Sequence, residues 1–156
     1  MSGVILVLDQ ATKSWVLANL PLGGGFAVIP GFFDITHVHN PGGAFGFLSS
    51  MGAEARSLLF VAVALAAIAL IVVFYWQTPA SERVTAFGLA LVFGGAVGNL
   101  VDRVRLGIVV DFLDVYAGDL HWPAFNVADS AITIGVGLVA VRMLLQKDTP
   151  GECPKP

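Results

Sequence analysis

The chain has 156 residues, 56% of them hydrophobic and 12% charged, with a mean hydropathy of +0.83 and a net charge of −3. Soluble domains carry roughly 25% charged residues, so a fold that faces water on every side is excluded and lipid is the expected solvent. No basic patch or arginine-rich stretch offers itself to nucleic acid, and the length allows one membrane domain, residues 1–147, with a polar tail at 148–156.

Residues 3–20 are apolar except for Asp9, Gln10, Thr12, Lys13, Ser14 and Asn19. They are expected to form a first span whose polar face turns into a bundle. No basic region or cleavage site marks this start as a removable signal peptide. The connection 21–54 holds turn signals at Gly23-Gly24-Gly25, Pro30-Gly31 and Pro41-Gly42-Gly43. Between them Phe26-Ala27-Val28-Ile29 and the alternating Ile35-Thr36-His37-Val38-His39 read as strands of a small sheet resting on the membrane.

Residues 57–76 are uncharged throughout and end at Tyr75-Trp76, a full span with an interfacial aromatic end. Residues 84–101 give another, stopped by Asp102-Arg103. Its Gly88, Gly94, Gly95 and Gly98 would let a neighbouring helix approach closely. The connection 102–125 carries an extended stretch from Ile108 to Tyr116 and then Trp122-Pro123. Residues 126–145 form the last span, with Asp129 near one end and Arg142 near the other.

Four spans place both termini on one side and the connections 21–54 and 102–125 on the other. Positive charge does not choose the side, because Arg83, Arg142, Lys147 and Lys155 stand against Arg56, Arg103 and Arg105. The single cysteine, Cys153, lies in the tail and excludes an internal disulfide or a multi-cysteine metal site.

Ionisable groups at or within a span are costly and point to function. Asp111 interrupts the apolar run Ile108 to Leu113, and Asp129 lies in the first turn of the last span. Each has a plain structural reading. Asp111 could face water from a strand, and Asp129 could complement the amides of a helix that Asn126 caps. Both fall at the same membrane face. If they meet, they cannot both ionise cheaply, so one acts as acid and the other as base. A base that activates water and an acid that protonates the leaving nitrogen suffice for peptide hydrolysis without cofactor or metal.

Asp9 and Lys13, at i and i+4, are expected to form a buried structural pair. Asn99, inside an apolar run, is expected to hydrogen-bond across helices or to substrate, while Asp102 and Arg103 could simply mark the interface. His37, His39 and His121 read as strand-surface imidazoles rather than a zinc site. A proton-coupled transporter is the alternative function, and a scaffold using glycine-rich helix packing a further one. A proton relay needs carboxyls at several depths, whereas Asp102, Asp111 and Asp129 gather at one face.

Five blocks in order resemble the lipoprotein signal peptidase (signal peptidase II) family. They are Asp9-Gln10-Ala11-Thr12-Lys13, Asn40-Pro41-Gly42-Gly43-Ala44-Phe45-Gly46, Gly98-Asn99-Leu100-Val101-Asp102-Arg103, Val110-Asp111-Phe112 and Phe125-Asn126-Val127-Ala128-Asp129-Ser130. The resemblance implies four transmembrane helices with a periplasmic β-cradle and a periplasmic segment over the active site, in the bacterial inner membrane with both termini cytoplasmic. It implies Asp111 and Asp129 as the catalytic dyad of an aspartic endopeptidase. Asn40, Gly42, Asn99, Arg103 and Asn126 would line the site or hold substrate, and Asp9, Lys13 and Asp102 would support it. The implied substrate is a diacylglyceryl-modified prolipoprotein, cut before its lipid-bearing cysteine, and the implied inhibitor is globomycin. A monomer suffices for this work.

Overall fold

The computed structural model describes residues 1–42 and 52–146. Lys147, Cys153 and the rest of the tail lie outside the described residues, as do Gly43 to Gly46 of the glycine-rich block. In chain order the elements are α1 (Ser2–Asn19), β1 (Gly25–Ile29), β2 (Phe33–Asn40), α2 (Ala53–Gln77), α3 (Arg83–Leu106), β3 (Val109–Ala117), β4 (Leu120–His121) and α4 (Val127–Gln146).

The protein is mainly helical, and α2, α3 and the Val127–Leu145 part of α4 are each long and apolar enough to cross a membrane. α2 has no buried residue at all and leaves Leu58 and Trp76 widely exposed. A helix apolar all round fits a lipid solvent, which removes the penalty water would impose. α3 is the hub against which α1, α2 and α4 pack. Its glycines make the close approach possible, since a Cβ on Gly88 would lie 2.8 Å from the Gly135 carbonyl oxygen of α4. A Cβ on Gly98 would lie 2.6 Å from Asp9 Oδ2 of α1.

Two boundaries differ from the sequence reading. α2 starts at Ala53 rather than 57, with Glu54 in its first turn. α3 continues past Val101 to Leu106, which shortens the second connection and puts Asp102 and Arg103 inside the helix. Charge stops a bilayer span but does not stop a helix. Arg103 and Arg105 sit in the last turn, where cations suit the helix dipole, and Gly107 ends it in the left-handed conformation with φ 73°.

The four strands form an antiparallel sheet in the order β1-β2-β3-β4. β2 carries a register shift between Ile35 and Val38, after which Val38 pairs with Asp111 and Asn40 with Val109. The small core under the sheet joins Val16 of α1 to Val110 and Phe112 of β3. Trp15 of α1 meets Phe26 of β1 edge to face, with ring centroids 6.5 Å apart. These contacts tie the sheet to one end of the bundle, the end at which α3 finishes and α4 begins.

Candidate active site

Asp111 and Asp129 are brought to one site because the chain before α4 doubles back along β3. Phe125 pairs with Leu113, its amide donating to the Leu113 carbonyl at 3.1 Å and its carbonyl accepting from the Phe112 and Leu113 amides at 2.9 and 2.8 Å. The next residue, Asn126, is therefore delivered beside Asp111, and α4 starts there. Asn126 is wholly buried. Its Nδ2 donates to Asp111 Oδ1 at 2.7 Å, and its Oδ1 accepts from the Asp129 amide at 2.9 Å. One side chain thus orients the first carboxyl and caps the helix that carries the second.

Asp111 does not face water, as a strand carboxylate could; it is 2% exposed, inside a strand whose first four residues are all buried. Asn40 Nδ2 donates to its other oxygen at 2.9 Å. Burial raises the Asp111 carboxyl from its ordinary value to about 6. The Asn40 hydrogen bond opposes the rise, and the negative charge of Asp129 adds to it. The Asp129 carboxylate faces the Asn126 backbone amide at the head of its own helix and also reaches across to α3. Asn99 Nδ2 of α3 donates to its Oδ1 at 2.8 Å.

Behind this pair lies a buried polar network. Lys13 Nζ is 2.9 Å from both Asp9 Oδ2 and Asp102 Oδ2, and it donates to Asn99 Oδ1 at 3.0 Å. Asp9 Oδ1 accepts from the Ala128 amide at 2.9 Å, satisfying a free donor in the first turn of α4. Asp102 Oδ2 accepts from the Val110 amide at 3.1 Å, beside Asp111. Asp102 is thus no interface marker; it fastens β3 to α3. Gln10 completes the set, its Nε2 donating to Asp102 Oδ1 at 2.9 Å. The signal that points to Gln10 is its place beside Asp9 and Lys13 on one helical face.

Arg103 lies against α2. It is half-buried, with its guanidinium over the Phe60 ring, and it feels the charges of Asp111, Asp129 and Asp102. Gly42 has φ 79°, which favours glycine, and its amide donates to Asn40 Oδ1 at 2.9 Å. That bond leaves Asn40 Nδ2 directed at Asp111.

The histidines divide between two places. His121 meets Asp114 through Nδ1 at 2.9 Å and stacks on Tyr116. His37 is buried, not on the sheet surface, because its Nδ1 bonds the Leu20 carbonyl at the end of α1 at 2.9 Å. Its Nε2 lies 3.1 Å from that of exposed His39.

Fold and site together define a helical membrane protein with a buried and a half-buried carboxyl where the bundle meets a small sheet. The profile of the family described as Signal peptidase (SPase) II matches residues 1–145, and the chain belongs to that family. It is similar to the lipoprotein signal peptidase of Desulforapulum autotrophicum, with 50% identity over 94% of this chain and 91% of the relative. The Geobacter metallireducens lipoprotein signal peptidase is 51% identical over 92% and 88%. Two solved bacterial membrane enzymes share the fold. One has a TM-score of 0.85 at 32% identity, covering 99% of this chain and 92% of its own. The other has a TM-score of 0.82 at 35% identity, covering 95% and 91%.

Proposed function

We propose that this aspartic-type peptidase removes the signal peptide of diacylglyceryl-modified prolipoproteins, with Asp111 and Asp129 as its working pair. Signal-peptide removal from lipoprotein precursors rests on family membership. The residue roles rest on one observation: buried Asn126 holds Asp111 through its amide nitrogen and caps the helix of Asp129 through its oxygen. Asp111, raised to about 6, keeps the proton and serves as the acid. Asp129, held by Asn99, takes a proton from the attacking water, and Asp111 protonates the leaving nitrogen. Asn40, Gly42 and Arg103 line the peptide's path; Asp9, Lys13 and Asp102 support the pair.

α1 is the fourth span. Its 18 residues extend about 27 Å, close to the hydrocarbon thickness, and it buries Asp9 and Lys13 while exposing Val4, Val7 and Leu8. Residues 1–147 then form one inner-membrane domain with both termini cytoplasmic and the carboxyl pair at the periplasmic face. The sheet is a cradle beside that pair. A cysteine placed at exposed Asp119, between β3 and β4, in a Cys153→Ser background will be labelled by a membrane-impermeant maleimide on right-side-out spheroplasts. Labelling only after lysis would reverse the orientation.

The site at the bilayer edge suits a lipidated substrate. Each buried CH₂ contributes about 0.8 kcal/mol of membrane anchoring, which a substrate already in the bilayer has gained beforehand. The acyl chains therefore set the depth and direction of the peptide, and positioning lowers the barrier. A globomycin-type cyclic peptide would compete for the same groove. The test is cleavage of a diacylglyceryl-modified lipobox peptide by the detergent-solubilised enzyme. A cut immediately before the lipidated cysteine supports the reading; intact peptide with folded enzyme would overturn it.

The pair also sets the pH dependence. Catalysis needs one proton on two carboxyls, so kcat/KM follows a bell, and its alkaline limb is the loss of the Asp111 proton. That limb should have an apparent pKa of about 6, because kcat/KM reports the carboxyls of the free enzyme. Measuring kcat/KM between pH 4 and 9 checks this, and a rate that keeps rising to pH 9 would remove the acid role from Asp111.

A further inference from the structure

α2 buries no residue, yet one of its side chains reaches the carboxyl centre. The Phe60 ring lies beneath the Arg103 guanidinium, with 4.5 Å from Cζ to the ring centroid. The same ring packs on Gly42 so closely that a Cβ there would strike three of its carbons. Gly42 in turn orients Asn40, whose amide donates to Asp111. Phe60 thus touches both the cation and the turn on that flank of the pair.

Arg103 Nη1 is buried and has no hydrogen-bond partner among the described residues. Buried donors are nearly always satisfied, so an unsatisfied one calls for a reason. An aromatic face holds a guanidinium by cation–π attraction without taking up its N–H groups. A carboxylate in the same place would bind those groups and add a further negative charge beside Asp111 and Asp129.

We propose that Phe60 is a positioning residue for the peptidase reaction: its ring fixes the plane of the Arg103 guanidinium and leaves Nη1 free to grip a backbone carbonyl oxygen of the substrate. The proposal rests on the reading of Asp111 and Asp129 as the working pair. The grip exists in the bound substrate as well as in the transition state, so its loss weakens binding more than chemistry.

The experiment uses the full-length enzyme in detergent and the lipidated lipobox peptide. Phe60→Leu keeps an apolar side chain without the π face; Phe60→Tyr keeps the face. Phe60→Leu should raise KM about tenfold and leave kcat within about twofold, while Phe60→Tyr stays within about twofold of wild type in both. A purely structural role would lower kcat through a smaller folded fraction at unchanged KM. That pattern, or equal changes in the Leu and Tyr variants, overturns the proposal. A second measurement needs no cleavage. Phenylglyoxal should modify Arg103 several-fold faster in Phe60→Leu than in wild type, read by peptide mass spectrometry. Equal rates overturn the clamp whatever the activity. Failure of the underlying reading shows elsewhere, as undiminished cleavage by Asp129→Asn.

Discussion

Asp129→Asn will lower the rate of lipobox cleavage by about 10²–10⁴-fold, the range of a lost general acid or base, and Asp111→Asn will do the same. The two variants should differ in stability, because the carboxyls are held differently. Among the described residues Asp129 accepts one side-chain hydrogen bond, from Asn99 on Oδ1. An asparagine keeps that acceptor and turns its NH₂ the other way, so the thermal midpoint in detergent should stay near that of wild type. Asp111 accepts on both oxygens, from Asn40 on one and Asn126 on the other. An asparagine there must point its NH₂ at one of these donors. Leaving a buried donor unsatisfied costs about 1–3 kcal/mol, so Asp111→Asn should melt measurably lower. The double variant should be no slower than either single one, since two groups that act as a unit lose their joint contribution once. Cleavage within tenfold of wild type in both single variants would dismiss the pair.

Much of this arrangement is legible in the sequence, for identifiable reasons. Long uncharged runs at 57–76 and 84–101 announce α2 and α3, because in lipid only a helix satisfies its own backbone. The i,i+4 spacing of Asp9 and Lys13 gives their ion pair directly. Asn126 reads as an N-cap from its place before an apolar run, and it is one. Other features depend on the tertiary fold. Asp102 sits at the end of an apolar run, where a boundary residue and a network member look alike; only β3 returning over α3 brings the Val110 amide to it. The alternation of β2 predicts His37 and His39 on one face, but not that the end of α1 covers the first and leaves the second exposed. Phe60 is one aromatic in an apolar helix until Arg103 lies over it. Local pattern carries the elements, whereas partners far apart in the chain carry the site.

The largest stability effect is expected at Lys13. Lys13→Met removes the cation shared by Asp9 and Asp102, both buried and both within 2.9 Å of it. Breaking a buried ion pair from one side costs about 3–5 kcal/mol, because the remaining charge stays without compensation. Here two carboxylates remain, each also holding a backbone amide, of Ala128 at the head of α4 and of Val110 beside Asp111. The thermal midpoint should fall sharply and cleavage with it. Adding Asp102→Asn to Lys13→Met separates charge from position. With one stranded carboxylate neutralised, part of the lost stability should return. Activity should lag behind it, because Asn99 Oδ1 keeps the Asn126 Nδ2 donor at 3.2 Å but still lacks Lys13, the nearer of the two donors that set the amide to face Asp129 with its nitrogen. Thermal unfolding and cleavage measured on the same preparations decide the matter. If stability and turnover recover together, Lys13 serves only to balance charge; if stability alone recovers, the ammonium also sets the Asn99 amide that holds the base.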